Sequence, residues 1–95
     1  MLNSAQKKYL KSEAHALKPI FQIGKDGVSE KQCQSILDAL KAKELIKVKL
    51  LNSCPMTTNE AAIEISAMTK ADVVQIIGHT IVFYKKSPKG IYRLP

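Results

Sequence analysis

Ninety-five residues suffice for one hydrophobic core and are too few for two, so one domain over residues 1–95 is expected. A composition with 45% hydrophobic and 24% charged residues is that of a globular domain, and apolar runs such as Ile81-Val82-Phe83-Tyr84 are far short of the roughly 20 residues that cross a membrane. The net charge of +7 is enough to attract polyanions through long-range fields and is the first functional clue, while a charge of this size also serves solubility.

From Ser4, a candidate N-cap, the segment to about Leu17 carries Leu10, Ala14 and Leu17 at helical spacing, with Lys7, Lys8, Lys11 and Glu13 around them. Pro19 ends this helix. Ile20-Phe21-Gln22-Ile23 is a short apolar run with β-branched and aromatic residues, closed by Gly24, and reads as a buried strand. Ser29-Glu30-Lys31-Gln32 then matches a capping box, with Ser29 accepting from the third helical N–H and Gln32 reaching back to the Ser29 N–H. The helix it opens has Cys33, Ile36, Leu37 and Leu40 as its apolar stripe and runs to about Lys43.

Ile46-Lys47-Val48-Lys49-Leu50 alternates with period two, which predicts a strand with one buried face and one wet face carrying two lysines. Asn52-Ser53-Cys54-Pro55 is turn chemistry. Thr57-Thr58-Asn59-Glu60 is a second capping box, opening a helix with Ala61, Ile65 and Met68 on one side. Val73 to Ile77 and Thr80 to Tyr84 flank Gly78-His79, a two-residue hairpin loop with glycine first. The order αβαβαββ predicts an α/β domain in which a mixed four-stranded sheet, ending in an antiparallel hairpin, packs against three helices.

Catalytic and metal chemistry find no support in these residues. Cys33 and Cys54 are too few for a disulfide scaffold, are not spaced as CxxC and have no nearby histidine pair, so reduced thiols and no metal are expected. His15 and His79 belong to no nucleophile pattern, and Glu60 is already occupied by capping, although Glu64 could share its helix face. The N-terminus has positive charge but no apolar stretch behind it, so a cytoplasmic protein is expected, with neither cofactor nor enzymatic activity.

The feature with a definite physical use is Gly24-Lys25-Asp26-Gly27, a Gly-x-x-Gly turn between a strand and a capped helix. Glycines allow close approach of a sugar-phosphate backbone, the first N–H groups of the helix point at an anion, and Lys25 adds a mobile ammonium. Asp26 opposes phosphate unless it points away or bonds the turn's own backbone.

The run from Lys18 to Gly27, with Lys18-Pro19-Ile20 leading through Ile23-Gly24 to the turn, resembles the start of the CRM domain, the family of the bacterial YhbY proteins. Glu44-Leu45-Ile46-Lys47-Val48-Lys49 and the stretch from Gln75 to Tyr84 resemble that family's other characteristic segments, with agreeing spacing across nearly the whole chain. The resemblance implies a compact α/β domain with a KH-like GxxG loop, here Gly24, Lys25, Asp26 and Gly27, related in shape to the C-terminal domain of a bacterial initiation factor. It also implies association with precursor large ribosomal subunits in bacteria and with intron splicing in plant organelles. Sequences of this family often carry Asn or Asp at the third loop position, which accommodates Asp26.

Fourteen of the fifteen basic residues are lysine, Arg93 being the exception, which suits phosphate contact better than bidentate reading of base edges. Lys31, one turn past the loop, and Lys7, Lys8 and Lys11 on the outer face of the first helix extend the candidate RNA-binding surface. In the basic C-terminal run Lys85 to Arg93, Tyr92 could stack on a base; the alternative is a polar loop and an edge strand with Tyr92 and Leu94 packed on the body. The sequence thus reads as a monomeric RNA-binding protein acting on structured ribosomal RNA of precursor large subunits. The competing reading is a protein-interaction module that binds an acidic partner through the same basic surface, and DNA binding is a third.

Overall fold

The computed structural model describes residues 2–95. Its elements, in chain order, are α1 (Ser4–Ala14), β1 (Phe21–Ile23), α2 (Glu30–Lys43), β2 (Leu45–Leu50), α3 (Thr58–Thr69), β3 (Asp72–Ile77) and β4 (Thr80–Tyr84). The expected order αβαβαββ is therefore present. The four strands form one mixed sheet in the order β1-β2-β4-β3, with β1 parallel to β2 and the other two pairs antiparallel.

Helices cover both faces of the sheet. On one face, α2 and α3 bury Cys33, Ile36, Leu40, Ala61, Ala62 and Ile65 against Ile23, Ile46, Val48, Leu50, Ile81 and Phe83. On the other, α1 sets Leu10 and Ala14 against Leu45, Val74, Val82 and Tyr84. Because strand side chains alternate between faces, β4 sends Ile81 and Phe83 one way and Val82 and Tyr84 the other, and all four are buried. Each such large side chain removed from water contributes about 1.5–3 kcal/mol.

This double cover corrects the expectation of a wet face on β2. Lys47 lies on the α1 side, half-buried, and its Nζ donates to the Leu17 carbonyl at 2.9 Å. Only Lys49 remains exposed there. The strand Phe21–Ile23 also departs from the expected buried strand, since it is an edge strand of three residues of which only Ile23 is buried, with Ile20 exposed outside it.

The helix ends differ in detail from the sequence expectations. The first helix is capped by Asn3 rather than Ser4: the Asn3 side chain accepts from the Gln6 N–H at 2.8 Å while the Gln6 side chain accepts from the Asn3 N–H at 3.0 Å. It ends at Ala14, not Leu17, because the last turn tightens, with His15 and Leu17 donating to the carbonyls three residues back, and Pro19 disfavours a helical Lys18.

On α3 the Thr57–Glu60 capping box forms as expected, at 3.1 and 2.8 Å. The buried stripe is Ala61, Ala62, Ile65 and Thr69, and Met68, expected on that side, is 42% exposed. Thr69 can occupy the core because its hydroxyl donates to the Ile65 carbonyl at 2.7 Å and accepts from the Ala71 N–H at 3.2 Å.

Candidate nucleic-acid interface

The turn Gly24-Lys25-Asp26-Gly27 sits where β1 ends and the chain swings towards α2. It is closed by the Gly27 N–H donating to the Gly24 carbonyl at 3.0 Å. The two glycines have different reasons to be there. Gly27 is buried with φ of +67°, a left-handed conformation that costs side-chain-bearing residues about 1–2 kcal/mol. Gly24 shows no such φ; a Cβ there would rest in ordinary contact with the Ser53 hydroxyl and Leu51, so what glycine supplies at this position is open main chain. Pro55 and Met56 back the turn from behind Gly27, and Lys25 and Asp26 project into solvent.

Beside the turn is an open cavity of about 480 Å³. Gly24 to Gly27 form one wall, and Ser29, Lys31 and Ser35 on the first turns of α2 form the other. Ser29 caps α2 as expected, its hydroxyl accepting from the Gln32 N–H at 3.1 Å. The Gln32 side chain does not complete the capping box. Its Nε2 donates instead to the Gln22 carbonyl at 3.0 Å, tying the first turn of the helix to the edge strand and closing the floor of the groove. An anion entering the groove would meet main-chain N–H groups at the positive end of a helix of 14 residues, with two ammonium groups at the rim. Asp26 lines the same groove but is exposed, so solvent screens its carboxylate.

The structure thus brings together Gly24, Lys25, Asp26, Gly27 and Lys31. It does not bring Lys7, Lys8 and Lys11 to them: these are exposed on α1, which packs on the opposite face of the sheet. Sequence reasoning did not place Gln22, Gln32 and Ser35 in the groove, having read Gln32 only as a capping partner and Gln22 only as a strand residue.

It also missed Glu44. This carboxylate is fully buried at the C-terminal end of α2, on a residue with a positive φ of +66°. The Ser87 hydroxyl donates to it at 2.7 Å, and the Ile91 and Tyr92 N–H groups donate at 2.9 and 3.2 Å. Burial pushes the Glu44 carboxyl up, but these donors outweigh burial and hold it below its ordinary value. The one available signal was an acidic residue at a helix C-terminus, where the dipole disfavours negative charge. Pinned in this way, the C-terminal segment forms no edge strand; Tyr92 and Leu94 pack beside α1.

Among the described residues, no group of three or more His, Cys, Asp or Glu could hold a metal ion. Both cysteines are free, and burial, followed by the charge of Glu64, pushes the Cys33 thiol up, the reverse of an activated nucleophile. No helix among these residues is long and apolar enough to cross a membrane.

Fold and groove together define a small α/β module in which a glycine turn stands beside a capped helix N-terminus. The CRS1/YhbY (CRM) domain model matches residues 2–85, and the chain belongs to that family. It is 46% identical over 90 residues to YqeI of Bacillus subtilis, named a probable RNA-binding protein, covering 95% of this chain and 94% of that one. It is 38% identical over 94 residues to an RNA-binding protein of Haemophilus influenzae, covering 99% and 95% of the two chains. The solution structure of SAV1595 from Staphylococcus aureus, described as a candidate RNA-binding protein, superposes with a TM-score of 0.85 at 43% identity over the whole of both chains.

Proposed function

We propose that this chain is a non-catalytic, cytoplasmic RNA-binding protein, working as one unit over residues 1–95, that binds structured ribosomal RNA and assists assembly of the large ribosomal subunit. The observation that carries RNA binding is the groove in which Lys25 and Lys31 flank an open glycine main chain at the start of α2. Its shape and charge suit a sugar-phosphate backbone, as in the GxxG loop of KH modules. The names of the relatives agree with it. The ribosomal target follows from the family resemblance, and the basic surface supplies the electrostatic capture that precedes docking.

Lys7, Lys8 and Lys11 fit this mechanism as capture residues rather than as part of the groove, since they lie on the other face of the sheet. If roughly five lysines meet phosphates, the slope of about −0.7 per contact for single strands predicts affinity falling about a hundredfold between 50 and 200 mM salt. The decisive measurement pairs that titration with Lys25→Asp. RNA binding should be lost in this variant, and the wild-type protein should sediment with precursor large subunits in fractionated lysate. A flat salt response, or full binding by Lys25→Asp, would remove the groove from the mechanism.

A further inference from the structure

At the other end of the sheet from the glycine turn lies a second cavity, of about 540 Å³, on the side covered by α1. Tyr84, Tyr92 and Leu94 give it an apolar lining, and Lys86 and Arg93 add two cations, one of them the chain's only arginine. Its size falls within the range of ordinary ligand sites. Gly90, Tyr92 and Arg93 belong to the segment that Glu44 fixes through the Ile91 and Tyr92 amides, so the wall is built rather than loose. Of the carboxylates near it, Glu44 is engaged by three donors, whereas Glu13 on α1 and Asp72 on β3, opposite Tyr84, act on the cavity's tyrosines through their charge alone. Lys86, Gly90, Tyr92, Arg93 and Leu94 all fall beyond residue 85, where the family match ends.

We propose that this cavity holds one unpaired nucleotide of a bound RNA, with its base against the Tyr92 ring and its phosphate between Lys86 and Arg93. A flat apolar surface beside two cations is the combination a nucleotide presents in complement, and arginine adds a planar guanidinium that can both stack and bind phosphate in bidentate fashion. A simple inorganic anion would have no use for the aromatic and leucine lining. An acidic peptide would have no use for a stacking ring.

The inference rests on the RNA-binding reading and deepens it by adding a second contact. The two cavities are separated by the length of the sheet, where six residues of β2 span about 20 Å. A strand long enough to occupy both gains affinity by linkage, which a short one cannot.

The test uses the full chain and a fluorescent single-stranded oligouridylate long enough to span the sheet. The double variant K86Q/R93Q should bind about tenfold more weakly than wild type, the loss of one good phosphate or stacking contact. The variant K41Q/K43Q, which removes two exposed charges from α2 outside both cavities, should lose much less. The NMR ring signals of Tyr92 should move on titration with the oligouridylate, and oligoglutamate should not displace it.

The proposal falls if K86Q/R93Q loses no more than K41Q/K43Q, if the Tyr92 ring signals stay in place, or if oligoglutamate competes equally. If Lys25→Asp still abolishes binding in those cases, only the second contact is lost. Wild-type protein that binds no RNA would overturn both readings together.

Discussion

Glu44 and Ser87, 43 residues apart in the chain, are joined by a 2.7 Å hydrogen bond in which the serine hydroxyl donates to a fully buried carboxylate. The same residue's carbonyl accepts from the Lys85 N–H at 3.0 Å, so Glu44 holds the C-terminal segment by both its backbone and its side chain. Replacing it with alanine leaves the Ser87 hydroxyl and the Ile91 and Tyr92 amides without their acceptor. Glu44→Ala should therefore lose about 2–3 kcal/mol of stability, measured by urea denaturation. Amide exchange should quicken selectively at residues 87–92. A loss spread evenly over the chain with residues 87–92 still protected would contradict the clasp.

The clasp has a pH signature. The folded-state carboxyl of Glu44 lies below the ordinary 4.5: burial raises it, and the Ser87 side chain with the Ile91, Tyr92 and Ser87 amides more than offset that. The unfolded chain therefore binds more protons between the folded value and 4.5, and stability rises with pH in that window. The contribution is complete above the unfolded value and is lost as pH falls through the folded one. Glu60, held low chiefly by the Thr57 backbone amide, acts in the same direction. Glu44→Gln should flatten the acid limb of a stability-versus-pH curve measured by urea midpoints; identical acid slopes for the two proteins would refute this assignment.

The glycine turn separates a stability role from a binding role. Gly27→Ala places a Cβ at φ of +67° and should cost about 1–2 kcal/mol, although the space around it is ordinary. Gly24→Ala meets neither strain nor clash, so its stability should stay within about 0.5 kcal/mol of wild type. Its methyl group nevertheless intrudes where a phosphodiester would approach, and RNA affinity should drop severalfold. Thermal melts and RNA anisotropy on the two variants check the pair, and full RNA affinity in Gly24→Ala would remove the close-approach argument.

Lys70 ends α3 in a left-handed conformation with φ of 64° and ψ of 19°, the position where helices favour glycine. Its backbone N–H bond to the Ser66 carbonyl at 2.9 Å does not depend on the side chain. Lys70→Gly should stabilise the protein by about 0.5–1 kcal/mol, visible as a rise in Tm of a few degrees. A fall in Tm would mean that the exposed lysine makes a contribution larger than its strain.

What the chain alone determined was the set of elements and the place of the groove. Periodicity marked α2 and α3, alternation marked β2, the glycine-first loop marked the last hairpin, and Ser29 and Thr57 announced two helices through caps made within a single turn. Such signals are local, since each side chain answers to backbone three or four residues away. Gly24 to Gly27 could be placed on the same basis, because a turn between strand and capped helix needs no distant partner.

The tertiary structure alone decided which candidate residues share a surface and which polar groups are buried. Lys31 joins the turn because α2 follows it directly, whereas Lys7, Lys8 and Lys11 are carried to the opposite face by the packing of α1 on the sheet. Lys47 reads as a solvent lysine until α1 covers it and the Leu17 carbonyl receives its ammonium. Glu44 looks like any surface glutamate until a segment 43 to 48 residues away supplies the three donors that make its burial tolerable. Burial of a charge depends on partners brought together by folding, and no local pattern records where those partners will come from.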